Sequence, residues 1–126
     1  MSESQQQKAV VEYFRLQYKF PKHLIFAVPN GAFLAGTKEK RQGQMKRLKE
    51  EGLEPGIPDL IIPVARGGYH GLVIEMKDIG KTEKDLSANQ KKFLLYFEYK
   101  DWKTHWCIGA SAAIKVIDEY MALKAI

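Results

Sequence analysis

Two apolar segments, Gly56–Val64 (GIPDLIIPV) and Gly71–Lys77 (GLVIEMK), decide the fold of this chain. The six residues between them, ARGGYH, include two adjacent glycines, so the sequence predicts two strands joined by a turn. If the strands pair antiparallel around the first of these glycines, Asp59 and Glu75 lie eight residues to either side of the centre. Directly opposed side chains have Cβ atoms roughly 4.5–5.5 Å apart. The register therefore predicts two carboxylates facing each other.

This pair of carboxylates indicates a site for a divalent metal ion. Like charges directly opposite each other on paired strands are destabilising, so a fold that keeps them usually neutralises them with a cation. Oxygen ligands suit a hard ion such as Mg²⁺ or Mn²⁺. Lys77 shares the face of Glu75 because strand side chains alternate, and its ammonium can hold a water or stabilise the charge on a phosphate. This chemistry suits phosphodiester hydrolysis; the alternative is a solvated hairpin face with incidental charges.

The composition limits the class of protein. At 126 residues we expect one domain, residues 1–126, with a polar N-terminal tail at residues 1–7. The net charge of +5 favours a polyanionic partner. Cys107 is the only cysteine, which excludes an internal disulfide and a Cys-based zinc site and indicates an intracellular location. No signal peptide is recognisable and no apolar run approaches ~18 residues, so we expect a soluble protein without a membrane segment.

The first helix is expected from about Ser4 to Lys19, with Ser4 and Gln7 forming a capping box. Its apolar residues recur at helical spacing, and Glu12 is expected beside this apolar stripe. From there the Glu12 carboxylate would supply a third oxygen ligand to the metal. The alternative is a surface glutamate paired with a basic neighbour on the same helix.

A buried strand is expected at residues 23–28, followed by the turn signal Pro29-Asn30-Gly31, where Asn30 either supplies turn geometry or contacts the substrate backbone. The next segment, Thr37–Glu51, predicts a thinly docked helix that is interrupted by Gly43 and stopped at Gly52. Its cations are either a solvated face or a phosphate-binding surface. The candidate nucleic-acid contacts in it are Lys38, Lys40, Arg41, Lys46 and Arg47.

The C-terminal half predicts a crossover connection. A polar loop at residues 78–86 leads to a helix from Ser87 to about Lys100, with apolar residues 93–97 expected to pack inward. Gln90 either closes a capping box with Ser87 or holds a water at the metal. The strand Lys103–Ile108 should then lie parallel to the Glu75 strand. The broad apolar arc of the last helix indicates either ordinary burial or a dimer contact.

Pro58-Asp59, followed after fifteen residues by Glu75-Met76-Lys77, resembles the PD-(D/E)xK nuclease signature. More of the chain is similar to one branch of it, the virus-type replication-repair nuclease (VRR-NUC) domain. This similarity spans roughly residues 8–122, and the chain looks like a free-standing member. Its other matching features are Glu12 in the first helix, Pro29-Asn30-Gly31, the basic helix, Gly52, Gly56-Ile57-Pro58, Leu86-Ser87, Gln90 and the closing strand and helix.

The resemblance implies an α/β restriction-endonuclease-like core, a central mixed sheet flanked by helices, and a metal-dependent DNA endonuclease. Asp59, Glu75 and the Met76 carbonyl would bind Mg²⁺ or Mn²⁺, Lys77 would position the attacking water, and Glu12 and Gln90 would complete the site. It further implies branched DNA as substrate, a Holliday-junction resolvase working as a homodimer, and an intracellular phage or prophage setting. The alternatives are a non-catalytic module that binds branched or duplex DNA, and a nuclease that acts on RNA.

Overall fold

The computed structural model of the chain describes residues 1–29 and 34–125. Within these ranges the elements are α1 (Glu3–Gln17), β1 (Phe26–Ala27), α2 (Lys38–Glu50), β2 (Leu60–Ile62), β3 (Leu72–Lys77), α3 (Ala88–Tyr99), β4 (Lys103–Ile108) and α4 (Gly109–Met121). A 3-10 turn, Glu83–Asp85, lies in the loop between β3 and α3. None of the helices found in the described ranges is long and apolar enough to cross a bilayer.

The strands form one mixed sheet in the order β1-β2-β3-β4. β2 pairs antiparallel with both β1 and β3, whereas β3 and β4 are parallel. Leu60 pairs with Ile74 and Ile62 with Leu72, so the hairpin is centred on Gly67. This is the predicted register, and α3 provides the predicted crossover between the parallel strands. The expected α/β fold, an antiparallel hairpin plus a parallel crossover strand flanked by helices, is confirmed.

Two glycines allow the hairpin to reverse within two residues. Gly67 has φ 58° and Gly68 has φ 88°, the left-handed conformation that a type I′ turn needs at both central positions. On either side, the Tyr69 N–H donates to the Arg66 carbonyl at 2.9 Å and the Arg66 N–H donates to the Tyr69 carbonyl at 3.3 Å. The turn pairs Arg66 with Tyr69, one residue out of step with the pairing of β2 and β3. The register that carries Asp59 and Glu75 is therefore set by the apolar pairs of the strands, such as Leu60 with Ile74.

Helices cover both faces of the sheet. α1 and α4 pack on each other and on the face that carries Ile74 and Met76, while α3 packs on the opposite face. Because strand side chains alternate, Glu75 and Lys77 point to the α3 side, as the sequence predicted. The buried core comprises Val10, Phe14, Ile25, Leu60, Ile62, Val64, Leu72, Ile74, Met76, Cys107, Ala113, Ile117 and Tyr120.

The first helix begins earlier than predicted. Its N-cap is Ser2, whose hydroxyl accepts from the Gln5 N–H while the Gln5 side chain accepts from the Ser2 N–H. The expected box of Ser4 and Gln7 is wrong, and residues 1–7 are not a tail, because the helix starts at Glu3. The first turn of α1 is thus an ordered part of the domain.

Polar contacts fix α1 against α4. The buried Gln6 side chain accepts a hydrogen bond from the Ala110 N–H at 2.8 Å, at the start of α4. Near the other end, the hydroxyls of Tyr13 and Tyr18 donate to the Asp118 carboxylate at 2.6–2.8 Å. Hydrogen bonds to a charged acceptor are each worth about 1.5–3 kcal/mol, so these contacts hold the rotation and position of α1 firmly.

The N-terminal strand differs from its prediction. The sequence predicted a buried strand at residues 23–28, but β1 contains only Phe26 and Ala27, and both are exposed at the sheet edge. Ile25, just before it, is fully buried. An edge strand pairs with one neighbour only. β1 is held there by its two residues paired with β2 and by the burial of Ile25.

The basic helix α2 is capped by Thr37 and contains no buried residue, which confirms the expectation of thin docking. The predicted interruption at Gly43 is wrong, since the helix continues through it; with no packing partner there, a glycine costs only about 1 kcal/mol of helix propensity. Gly52, with φ 112°, follows its end as expected.

The burial of α3 is lower than the sequence predicted, whereas α4 contributes buried residues to the core. α3 has no buried residue, and Leu95 and Tyr96, both expected inside, are 60% and 58% exposed. In α4, Ala113, Ile117 and Tyr120 are buried in the core. The other apolar residues of the predicted arc are only partly buried or exposed, so the alternative of a dimer contact stays a prediction.

Candidate catalytic site

The hairpin brings the two predicted carboxylates together. Asp59 directly precedes β2, where its carbonyl accepts from the Val28 N–H at 3.0 Å. On the side of β2 that faces β3, the side-chain Oδ2 of Asp59 accepts from the Met76 N–H at 2.8 Å. This bond holds the Asp59 carboxylate over the end of β3, next to the Glu75 side chain with which it is in register.

Glu75 is a buried carboxyl group with an unsatisfied oxygen. The residue is only 2% exposed, and its Oε1 accepts from the Gln90 Nε2 at 3.2 Å. Its Oε2 has no hydrogen-bond donor among the residues of the described ranges. Burying an oxygen without a partner is costly, so this atom calls for a proton or a cation.

The electrostatics of the pair point the same way. Burial, the charge of Asp59 and a hydrogen bond to the Asp59 carboxyl raise the pKa of Glu75 from 4.5 to about 9, against the opposing effect of Lys77. Burial and the neighbouring negative charge both disfavour the ionised form of Glu75, so its neutral, protonated form is favoured when no metal is bound. In the metal-free protein a proton at neutral pH therefore supplies the positive charge that a cation would otherwise bring.

Gln90 closes the predicted capping box and also contacts Glu75, whereas its predicted hold on a metal-bound water stays a prediction. Its Oε1 accepts from the Ser87 N–H at 2.8 Å and its backbone N–H donates to the Ser87 hydroxyl at 3.0 Å, which is the predicted capping box. Its other side-chain group, the Nε2, is left to donate to Glu75. The cap therefore fixes the amide in the orientation that the site uses.

Close backbone packing places this helix end on the hairpin. Gly56 has φ 92°, and a Cβ there would lie 2.6 Å from the Asn89 Cβ and 2.9 Å from the Gln90 nitrogen. Only glycine allows that approach. The segment that leads to Asp59 is thereby packed directly on the turn of α3 that supplies Gln90.

Glu12 is not part of the site. It is exposed, lining a shallow depression with Met1, Gln5, Lys8 and Ala9. The sequence predicted Glu12 beside the apolar stripe. The buried residues of that stripe, Val10 and Phe14, each lie two positions away from Glu12. At about 100° per residue, two positions correspond to roughly 200°, so Glu12 faces away from the core.

Glu3, in the first turn of α1, interacts electrostatically with the carboxylate pair. Partial burial and the charge of Asp59 raise the pKa of Glu3, while Lys77 opposes the shift. Glu3 in turn raises the pKa of Glu75, so its carboxylate belongs to the same electrostatic cluster. It lies nine residues from Glu12, which is half a turn out of phase on an α-helix. A capping box read at Ser2 instead of Ser4 would have identified it.

The other predicted contacts lie apart from this cluster. The cations of α2 are all exposed, and Lys46 forms a long ion pair with Glu50 at 4.0 Å. Asn30 falls outside the described residues, so its predicted substrate contact stays a prediction. Of the histidines, His23 and His70 are exposed and His105 is partly buried in β4.

The donor set fits a hard divalent ion. It consists of the Asp59 and Glu75 carboxylates and the Met76 carbonyl, which points to the same edge of β3 as the Met76 N–H that Asp59 accepts. No three His, Cys, Asp or Glu side chains of residues 1–29 and 34–125 converge as a closed metal cage. Mg²⁺ in nucleotide chemistry usually binds through one or two carboxylates plus waters and substrate phosphates, which is the arrangement offered here.

Comparison with known proteins agrees with the geometry. A family model described as the VRR-NUC domain matches residues 1–111. The chain belongs to the VRR-NUC family. A solved structure described as a VRR-NUC domain protein is 27% identical and has a TM-score of 0.81, with 99% of this chain and 92% of that chain covered. Among curated protein sequences no match was found.

The carboxylate pair predicts a link between metal binding and stability. Mn²⁺ or Mg²⁺ should raise the unfolding temperature of the VRR-NUC domain. At a metal concentration 100 times the dissociation constant, the free energy of unfolding should rise by about 2.7 kcal/mol. Without metal, the folded protein retains a proton on Glu75 that the unfolded chain loses, so stability should fall as the pH rises from 4.5 towards about 9. Thermal unfolding followed by circular dichroism measures both effects.

Glu75→Gln supplies the matched variant. It should stabilise the metal-free protein at neutral pH by at least about 1 kcal/mol, because it removes the cost of the buried acid, and it should abolish the response to metal. Glu12→Gln is the control and should change neither property. A metal-induced shift that survives in Glu75→Gln would contradict the assigned site.

Proposed function

We propose that this VRR-NUC domain is a metal-dependent DNA endonuclease that hydrolyses phosphodiester bonds, with branched DNA as its substrate. The observation that carries the proposal is the buried, unsatisfied Oε2 of Glu75 beside Asp59. A purely structural role does not explain a charged group kept in a destabilising position on the central strand. Membership of a nuclease family supports the same reading.

Each nearby residue has a role in this proposal. Asp59, Glu75 and the Met76 carbonyl hold Mg²⁺ or Mn²⁺, which when bound lowers the pKa of water and neutralises charge on a phosphate. Lys77, beside Glu75 on the same face, orients the attacking water and stabilises negative charge. Gln90 fixes the Glu75 carboxylate through its Nε2, which binds Oε1 and would leave Oε2 available to a cation.

Glu3 has a positioning role in the proposal. It interacts electrostatically with Asp59 and with Lys77. A carboxylate attracts a nearby ammonium group, so Glu3 would help to orient the Lys77 side chain towards the site. Glu3 is the α1 residue whose charge raises the pKa of Glu75, and this favours it over Glu12 for the role.

Cleavage of labelled DNA tests the assignment. Asp59→Asn and Lys77→Met should each lower kcat by about 10²–10⁴ on four-way junctions and flaps in Mg²⁺ or Mn²⁺, the range for loss of a group that handles the proton or charge of the reaction. Salt-sensitive binding without any metal-dependent product would instead favour the non-catalytic DNA-binding module. A ribose version of the same substrate separates DNA from RNA cleavage.

Two glutamates on one helix provide the matched pair for this experiment. Glu3→Gln should reduce cleavage at least about tenfold, whereas Glu12→Gln, in which the same change is made on the solvent side of α1, should retain full activity. Full activity in Glu3→Gln together with loss in Glu12→Gln would overturn the exchange of roles between these residues.

The exposed cations of α2 are proposed to contact DNA phosphates. Because none of them is buried and the helix has no packed face to protect, substitutions there should leave the fold intact. Changing Lys38, Lys40 and Arg41 to Gln should make the log–log dependence of affinity on salt shallower by about 0.9 per lost contact. Lys115→Gln, on the exposed side of α4, is the control, and an unchanged slope in the triple variant would remove α2 from the interface.

A homodimer is the proposed form that acts on four-way junctions. One chain carries one carboxylate pair, and two copies related by a two-fold axis would present two sites to the symmetric strands of a junction. This is the arrangement of a Holliday-junction resolvase, which would serve recombination inside a cell, including that of a phage or prophage. Light scattering should give twice the 14.4 kDa chain mass at working concentration; a monomer mass would contradict this part.

A further inference from the structure

A groove beside the candidate site is lined by aromatic side chains. It has a volume of about 310 Å³, at the lower end of the roughly 300–1,000 Å³ of ligand pockets. Its lining is nearly all apolar and it is open to solvent. The residues that form it are Ile57, Phe93, Tyr96, Phe97, Lys100 and Trp102.

The aromatic rings of the groove are held in place by one another. Phe93 and Tyr96 meet edge to face with centroids 5.9 Å apart, and Phe97 and Trp102 do the same at 5.5 Å. Yet Tyr96 is 58% exposed, on a helix without a buried residue. Preformed aromatic surface that is left in water marks a binding surface more often than a packing one.

The groove and the candidate site are built on the same two segments. Ile57 lies two residues before Asp59, and Phe93 lies one helical turn after Gln90. The close packing of Gly56 on Asn89 joins these segments, so one end of the groove, at Ile57 and Phe93, lies on the segments that carry Asp59 and Gln90. The other end, at Trp102, lies at the start of β3. A DNA strand with a phosphate at the pair would therefore carry its neighbouring bases over the aromatic rings.

The charges around the groove suit a polyanion. The Lys92 ammonium lies 5.0 Å from the centroid of the Phe93 ring, and Lys100 forms part of the wall. Glu98 and Asp101 do not line the groove; they line a neighbouring cleft on the other side of Trp102, together with Lys103. Aromatic rings combined with lysines are the surface that proteins use to stack the bases of single-stranded nucleic acid.

We propose that this groove binds an unpaired nucleobase of the DNA strand being cut, stacked on Phe93 and Tyr96. The site then selects DNA with unpaired nucleotides beside the scissile phosphate, because a base inside a continuous duplex is stacked on its neighbours and does not present its face. The inference rests on the proposed function, which supplies the strand and its position.

Binding measured without divalent metal tests the groove apart from cleavage. The probes are a blunt duplex and the same duplex with a short single-stranded extension that carries 2-aminopurine. Tyr96→Ala should weaken binding of the extended duplex about tenfold, within the range for loss of one stacked base, and leave the blunt duplex unchanged. Tyr96→Phe, which keeps the ring, should bind like the wild type and quench the 2-aminopurine fluorescence to the same degree.

Tyr99→Ala is the matched control. Tyr99 lies on the same helix and is 89% exposed, but it does not line the groove. Binding of both probes should be unaffected in this variant. Equal weakening of both probes by Tyr96→Ala, or equal quenching in Tyr96→Ala and the wild type, would overturn the proposal.

Two further outcomes separate the possibilities. A fall in particle mass by light scattering in Tyr96→Ala, with unchanged circular dichroism, would mean that the groove is a contact between two copies of this chain and would overturn base binding. If the wild type cuts no DNA but the difference between the probes holds, the endonuclease proposal fails while the base-binding groove stands; if it cuts and the difference is absent, the groove fails alone.

Discussion

The pairing register of β2 and β3 is the constraint on which the rest of this VRR-NUC domain depends. It sets Asp59 opposite Glu75, and a shift of one residue would turn Leu60 and Ile74 out of the core. Because so much apolar surface fixes the register, the fold can force two acids together. Burial of Glu75, followed by the charge of the neighbouring Asp59, raises the pKa of Glu75 in this arrangement.

The neighbouring contacts hold the acids in one orientation. The Met76 N–H binds Asp59, the Gln90 amide binds Glu75, and Gly56 brings the two segments close enough for both. Each of these groups is also an ordinary structural element, a strand N–H, a helix cap or a tight packing point. Stability of the fold and geometry of the site are thus maintained by the same bonds, with the buried acid as the destabilising component.

The sequence predicted the parts that depend on local rules. The glycine turn and the alternation of strand residues predicted the register, and the Ser87 box predicted how α3 begins. Glu3 was missed because two overlapping boxes, two residues apart, fit the first helix equally well by pattern. The structure has the box at Ser2 and Gln5, and the long-range bond of Gln6 to Ala110 fixes the same turn of α1. Tyr96 is exposed because the outer side of α3 is not covered by the described part of the chain. The periodicity of a helix does not show which of its sides other elements will cover.

Binding of a divalent cation by the Asp59–Glu75 pair can be measured in crystals grown with Mn²⁺, by anomalous scattering at the manganese absorption edge. We expect a peak within bonding distance of both carboxylates and of the Met76 carbonyl, with the Gln90 amide still bound to Glu75. Manganese bound elsewhere on the chain, with none at the carboxylate pair, would contradict this site.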